Sequence, residues 1–320
     1  MEFRLIDRIR ERTAQPRGDV RLGIGDDAAL LAVPAGQELA VAIDTMVEGV
    51  HFPVGTAPAD IGWKALAVNL SDLAAMGATP AWALLALTLP RPDAAFVDGL
   101  AEGFAQLANP YRLALVGGDT TRGPLALSVA VHGFVQPGQA LTRAGAQAGD
   151  AVLVTGTLGD AAAGLRCLQS QMDVQTSMRD FLLDRLSRPV PRVAAGLALR
   201  GRASACLDVS DGLLADLGHL CAASGVGAEI DAALLPHSPA LLGAFGEAAA
   251  RDFALTGGDD YELCFTVPAA RADEVRDELA RSGCGATRIG RIVAGTGVRV
   301  RDADGAWLES ARQGWDHFAP

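Results

Sequence analysis

The sequence predicts an α+β fold in two domains, and three observations carry that prediction. The chain has 320 residues, about twice the size of a common single domain. Half of the residues are hydrophobic, enough for well-buried cores. Segments of helical and of strand periodicity are mixed in both halves, without a strict βαβ alternation.

The elements justify this in order. Residues 1–12 read as a helix, because Phe3, Ile6 and Ile9 recur at helical spacing. ELAVAIDT (38–45) is a buried strand ending on Asp44. DIGWKALAVNLSDLAAMGA (60–78) is a helix with Asp60 as cap and Gly77 as stop. AWALLALTL (81–89) is a strand, and 94–111 a helix ended by Asn109-Pro110. LALVGGDTTRG and LALSVAVHGFV (125–135) supply two more strands. The polar, glycine-rich stretch 136–150 marks the boundary, giving domains 1–137 and 138–320. The second half restarts with strand AVLVTG and helix DAAAGLRCL. A helical stretch over 178–200 is broken by Pro189 and Pro191. Strand CLDV leads through SDG into helix LLADLGHLCAAS. YELCFTV alternates, with Tyr261, Leu263, Phe265 and Val267 on one face, and predicts a half-buried strand. DEVRDELARSG is a helix before the final strands.

Charge and composition exclude several classes. A net charge of −11 argues against nucleic acid as a partner. No apolar run approaches the ~20 residues of a membrane span, and the charged start MEFRLIDRIRER lacks a signal-peptide core. We therefore expect a cytoplasmic protein that contacts no membrane. Cys167, Cys206, Cys221, Cys264 and Cys284 form no CxxC pair and read as reduced, buried thiols. Lys64 is the only lysine, and it stands in GWKAL. Neither a Walker loop nor the strand lysine of a protein kinase is present.

Carboxylates recur at the ends of apolar strands or within glycine loops. They are Asp26 and Asp27 in GIGDD, Asp44 in AIDT, Asp119 in GGDTTRG, Asp208 and Asp211 in DVSDG, and Asp259 and Asp260 in GGDDYE. Asp72 lies on a helical stripe with Lys64 and Val68, beside Asn69. Two carboxylates about 4 Å apart repel by roughly 4 kcal/mol at an effective dielectric near 20. A convergent set therefore needs cations, and oxygen-only ligands suit Mg²⁺. The histidines stand alone, so zinc is not indicated. Glycines beside the acids let backbone amides approach phosphate. Arg122 and Arg143 are either phosphate clamps or surface residues. His51 is either a ligand or a packed side chain, and Trp315 either stacks on a ring or anchors the tail. TGTLGD, opening a helix, is a candidate anion site.

Ten stretches carry a resemblance over nearly the whole chain: GIGDDAALL, IDTMVEGVHF, KALAVNLSDLAAMGATPAW, GGDTTRGP, HGFV, ALTRAGA, VTGTLGDAAAGL, DVSDGLLADLGHL, GGDDYELCFTVP and GWDHF. Together they resemble the thiamine-monophosphate kinase family, within the superfamily of aminoimidazole ribonucleotide synthetase. The resemblance implies a PurM-like architecture, with an N-terminal α/β sandwich that pairs in a homodimer and a C-terminal α/β domain. It implies direct in-line transfer of the γ-phosphate of ATP to thiamine phosphate, the last step in making thiamine diphosphate, with several Mg²⁺ ions. Carried over, metal ligands are Asp27, Asp44, Asp72, Asp119, Asp208 and Asp211; among them Asp44, Asp72, Asp119 and Asp211 are the catalytic set. ATP contacts are Gly118, Asp119, Arg143 and Ser210. His51, Asp259 and Trp315 face thiamine phosphate.

Two positions depart from the family pattern. Ala42 stands where a hydroxyl residue is common, and Asp259 where Glu is common. Alternatives are a different ATP-dependent synthetase of the superfamily or a non-catalytic Mg-ATP sensor. The selenophosphate synthetase branch expects a reactive Cys near the N-terminus, whereas the first cysteine here is Cys167.

Overall fold

The structure is a computed structural model that describes residues 2–170, 172–302 and 304–308. The chain divides into two units, Met1–Leu73 with Ala78–Gly138, and Ala74–Gly77 with the segment from Gln139 onward. In the first, α1 (Glu2–Arg12) precedes a short antiparallel ribbon of β1 (Val20–Leu22) and β2 (Leu30–Leu31). Then follow β3 (Glu38–Val47), α2 (Pro58–Ala75), β4 (Thr79–Leu89), α3 (Ala94–Tyr111), β5 (Ala114–Arg122) and β6 (Ala126–Val135). Strands β3 to β6 form a four-stranded sheet in the order β3-β6-β4-β5. Its one parallel pair, β4 and β5, is bridged by α3, as a parallel connection requires.

Alternation gives the sheet two different faces. Leu85, Leu87, Leu127, Val129, Val131 and Met46 are buried on one face. The other stays open at its β3 edge, where Leu39, Val41 and Ile43 are 41, 58 and 65% exposed. At the opposite end of that face, Trp82, Val116 and Phe134 pack against Val20 and Leu31 of the ribbon. The Trp82 indole also donates to Asp19, at 3.2 Å. That contact fixes the ribbon, and hence the GIGDD loop between its strands.

Helix α3 passes through Pro110 instead of ending there. It stops at Arg112, whose φ is 51° and whose N–H donates to the carbonyls of Ala108 and Asn109. A proline in the final turn forfeits only one bond of the ladder.

The second unit contains β7 (Asp150–Thr155), α4 (Asp160–Gln169), α5 (Thr176–Ser187), α6 (Val193–Leu199), β8 (Ala205–Val209), α7 (Leu213–Ser224) and β9 (Gly227–Asp231). It continues with α8 (Pro239–Thr256), β10 (Glu262–Pro268), α9 (Ala272–Arg281), β11 (Ala286–Val293), β12 (Gly297–Arg301) and β13 (Trp307–Leu308). Among the described residues these strands form one sheet, ordered β13-β12-β9-β11-β7-β10-β8. All neighbours are antiparallel except β12 with β9.

The expectation of a half-buried YELCFTV strand is corrected, since Glu262 to Val267 are buried on both faces. β10 lies between β7 and β8, and its polar positions are satisfied inside the core. Thr266 shares a hydrogen bond with Ser204, at 2.7 Å, and Glu262 meets two arginines.

Helices α2 and α3 meet backbone to backbone at glycines. A Cβ on Gly62 would stand 1.9 Å from the carbonyl oxygen of Leu100, and one on Gly103 1.8 Å from that of Ala59. Either glycine replaced by alanine must push the helices apart. Gly103→Ala is expected to lower the unfolding free energy by about 1–3 kcal/mol or more, read from the urea midpoint at unchanged slope.

Candidate active site

Three groups of the expected residues form, each within one unit. The first lies in a cleft of ≈ 890 Å³ in the N-terminal unit, lined by α1, the GIGDD loop and the end of β5. Asp27, Gly118 and Asp119 all face it, together with Arg10 and His132. Asp26 uses its carboxylate locally, accepting the Asp27 N–H at 2.9 Å. Gly118 is required where it stands: its φ is 152°, and a Cβ would lie 1.8 Å from the Leu85 carbonyl oxygen. The strand therefore presents bare backbone beside the exposed Asp119.

The second group is at the opposite edge of the same sheet. Asp44 lies on β3, and its N–H donates to Asn69 Oδ1 at 3.0 Å. Asn69 is fully buried and oriented by its own Nδ2, which donates to the Ala65 carbonyl at 2.9 Å. Asp72 is one turn further along α2 on the same helix face. The β3–α2 loop closes on this group. His51 Nδ1 accepts the Val47 N–H at 3.0 Å, which leaves the neutral ring's proton on Nε2. Buried Lys64 donates Nζ to the His51 carbonyl at 3.2 Å, so the only lysine holds the loop.

Strand register measures the gap between these groups. Asp44 pairs with Val129, Val129 with Leu85, and Leu85 with Gly118. Three interstrand steps of about 4.8 Å put Asp44 and Gly118, the neighbour of Asp119, about 14 Å apart at Cα. Their side chains also leave opposite faces of the sheet.

The third group belongs to the C-terminal unit, where the loops after β8 and before β10 are stitched together. The Asp259 N–H donates to the Ser210 carbonyl and the Tyr261 N–H to that of Val209, at 2.8 and 2.9 Å. Asp259 and Tyr261 both have left-handed φ, 68° and 51°, a conformation such residues keep only under surrounding constraint. The Tyr261 hydroxyl donates to Asp259 Oδ1 at 3.0 Å. Asp208 is buried at the end of β8, and Ser210 and Asp211 are half-buried beside it.

Near the starts of α4 and α7, backbone amides are taken by the protein's own carboxylates. Asp260, fully buried, accepts the Gly159 N–H at 2.6 Å and the Ala161 N–H at 3.4 Å. The candidate anion site at TGTLGD is therefore filled from within. Burial pushes the Asp260 carboxyl up to about 8, against the pull of the Gly159 amide and of Arg185. At α7, Asp216 Oδ2 accepts the amides of Ser210, Asp211 and Gly212, at 3.0, 3.0 and 3.1 Å. Burial, with Asp208 and Asp211 nearby, raises the Asp216 carboxyl to about 7.

Glu262, also fully buried, accepts from Arg185, from both Nε and Nη2 of Arg192, and from the Thr155 hydroxyl at 2.6 Å. The sequence reading missed these roles of Asp216, Asp260, Glu262, Arg185 and Arg192. The one available signal was an acid four residues into the helix after the glycine of DVSDG.

Arg143 is exposed on a loop that Ser224 secures, accepting the Gly145 and Ala146 amides at 3.1 Å and donating to the Arg143 carbonyl at 3.0 Å. Arg122 is exposed at the end of β5. Trp315 lies outside the described residues. The cysteines are free and buried, and burial raises the Cys206, Cys221 and Cys264 thiols, Cys221 to about 11. Such thiols are poor nucleophiles at neutral pH.

Among the described residues, no three or more His, Cys, Asp or Glu side chains form a ready metal cage. The donors still fit Mg²⁺, which takes one or two carboxylates and completes its shell with water and substrate phosphate. Asp27 and Asp119 are carboxylates of this kind, exposed within the cleft.

The fold places the chain in a known class. Residues 25–135 match the family described as AIR synthase related protein, N-terminal domain, and residues 147–303 the corresponding C-terminal domain. The architecture is thus the two-domain PurM-like α+β one. Thiamine-monophosphate kinase of Escherichia coli strain K12 is 49% identical over 319 residues, spanning 99% of this chain and 98% of that protein. The crystal structure of thiamine-monophosphate kinase from Stenotrophomonas maltophilia K279a has a TM-score of 0.88 at 53% identity, covering 95% of this chain and 96% of that one. AaThiL complexed with AMPPCP and TMP has a TM-score of 0.79 at 35% identity, covering 99% and 97%. The chain belongs to the thiamine-monophosphate kinase family, and with it to the kinases. Among the described residues no helix is long and apolar enough to cross a membrane.

The raised Asp260 carboxyl makes a signed prediction. With a folded value near 8 and an unfolded value near 3.8, the native state holds the extra proton between them. Stability from this group is therefore full below about pH 4 and falls as pH rises towards 8. Asp260→Asn, which cannot ionise, should gain melting temperature relative to the parent between pH 5 and pH 9.

Proposed function

We propose that the protein transfers the γ-phosphate of ATP to thiamine phosphate, giving thiamine diphosphate and ADP. The 49% identity to Escherichia coli thiamine-monophosphate kinase over nearly the full length of both chains carries this reading. The relative complexed with AMPPCP and TMP supports an ATP analogue and thiamine phosphate as the ligand pair.

Asp27, Asp44, Asp72, Asp119, Asp208 and Asp211 would hold Mg²⁺. When bound, the metal would supply charge neutralisation on the transferring phosphoryl group. Gly118 admits the nucleotide phosphates to bare backbone, while Arg143 and the Ser210 hydroxyl contact them. His51 offers Nε2–H to the phosphate of thiamine phosphate, and Tyr261 holds the Asp259 carboxylate towards that substrate. By the family resemblance, Trp315 would face the aromatic part of that substrate. The acceptor phosphate is already ionised near neutral pH, so in-line attack requires no strong base. Thiols raised by burial supply no competing nucleophile. The cytoplasm, where ATP is available, is the expected location.

We also propose that the active unit is a homodimer paired through the open sheet face. Leu39, Val41 and Ile43 give it an apolar surface to bury. Asp44 and Gly118, the neighbour of Asp119, are about 14 Å apart within a chain, so the two acids cannot share an ion with Mg–O bonds of about 2 Å. Two-fold pairing of the sheets would set the β3 edge of one protomer against the cleft side of its partner.

Two measurements test these readings. Purified protein with Mg²⁺-ATP and thiamine phosphate should form thiamine diphosphate and ADP, and quantitative recovery of thiamine phosphate would refute the activity. Asp44→Asn and Asp119→Asn should each be inactive alone. Co-expressed, they should recover about a quarter of parent activity, since half of randomly paired dimers are mixed and each mixed dimer keeps one intact site. A mixture no more active than either variant would place both acids in one protomer's site.

A further inference from the structure

We infer that Asp216 is the positioning residue for Ser210 and Asp211, acting through the backbone of the loop that carries them. This rests on the proposed kinase activity, in which those two side chains meet nucleotide and metal.

One oxygen, Asp216 Oδ2, accepts three successive amides, those of Ser210, Asp211 and Gly212, at 3.0, 3.0 and 3.1 Å. Three donors converging on one acceptor fix the peptide planes of the loop, and so the directions in which the Ser210 and Asp211 side chains leave it. Asp216 is itself 5% exposed and lies in the first turn of α7, so it has little freedom to follow a moving loop. The far side of the loop is closed by the Asp259 N–H on the Ser210 carbonyl, at 2.8 Å. Gly212 is forced to be glycine, with φ 115° and a would-be Cβ 2.9 Å from the Thr256 carbonyl group. The loop is thus held from both sides, and Asp216 holds the side that faces α7. Because these three loop amides are already taken, the loop does not offer them to a phosphate. What the loop presents to ligands is its side chains, aimed by Asp216.

Partners that orient a ligating side chain commonly contribute 10–100-fold to metal affinity or activity. Three variants separate positioning from plain structural support. Asp216→Asn keeps an acceptor oxygen in place, Asp216→Ala removes it, and Asp216→Glu displaces it by one methylene. The Asn variant should stay within about threefold of the parent. The Ala and Glu variants should show a 10–100-fold higher Mg²⁺ requirement and lower kcat. Their KM for thiamine phosphate should change little. Amide hydrogen exchange, read without substrate, should speed up in the peptide covering 209–213 for Ala and Glu but not for Asn. If Ala fails to fold, Glu against Asn carries the test. Parent-like Mg²⁺ dependence and parent-like exchange in the Glu variant would overturn the inference. So would losses in all three variants that merely track the fraction of folded protein. An inactive parent protein would instead refute the kinase reading, with the exchange experiment still deciding the role of Asp216.

Discussion

The width of one four-stranded sheet constrains how the acids can act. Backbone hydrogen bonding fixes strand spacing at about 4.8 Å, and the register through Val129 and Leu85 leaves no slack between Asp44 and Gly118. The acids of this unit therefore form two groups at opposite edges of the sheet. One is built on the edge strand β3, locked to α2 through Asn69, the other on a glycine-bearing edge strand facing a ribbon loop. The apolar β3 face left uncovered between these edges is where a second copy would bring opposite groups together in the proposed dimer. Sheet pairing and site completion would then be the same event.

The C-terminal unit solves a different problem, namely how to keep carboxylates buried beside a loop that must stay rigid. Glu262 is neutralised by Arg185 and Arg192, with Thr155 completing its shell. Burying charge is costly unless every partner is in place, and removing one partner of such a pair typically costs about 3–5 kcal/mol. Asp260 instead takes amides at the start of α4, where unpaired N–H groups and the helix dipole favour an acceptor, and Asp216 takes three amides of the loop that leads into α7. The sequence GGDDYE thus alternates in function. Asp259 and Tyr261 pair with each other at the loop surface, while Asp260 and Glu262 anchor the loop to α4 and to the arginines.

Much of this was legible in the sequence, for physical reasons that differ by element. Helices such as 94–111 were readable because their periodicity matches one buried face. The strand at 38–45 was expected to be buried and to end on Asp44, yet β3 runs on to Val47 and is an edge strand with Leu39, Val41 and Ile43 exposed, which its apolar run alone does not announce. β10 misled because its alternation suggested an exposed face, whereas Glu262 and Thr266 are buried polar residues whose partners lie far away in sequence. The grouping of Asp27 with Asp119, and of Asp44 with Asp72 through Asn69, depends on strand order and helix placement, which local spacing does not encode. TGTLGD looked like an anion site because a glycine loop opening a helix does bind anions. Its occupant is a carboxylate about a hundred residues further along the chain, and nothing local announces that. Pro110 was read as a helix end because proline removes a hydrogen bond, yet in the last turn that loss is small.

The only lysine of the chain serves the fold of a loop. Lys64 is buried with Nζ on the His51 carbonyl, and it shapes the loop that presents His51. A protein of net charge −11 with exposed carboxylates lining a cleft repels the phosphates of ATP unless cations intervene. In the proposed reaction the same carboxylates that exclude bare nucleotide would admit the magnesium complex, so selectivity for the metal-bound donor would follow from the repulsion itself. A lysine-based cradle would bind the nucleotide with or without metal. Even with Arg143 at the nucleotide, the carboxylate-rich site would favour the metal-bound donor, and its geometry would rest on strand spacing, on Asn69 holding the backbone at Asp44 and on Asp216 holding the loop of Ser210 and Asp211.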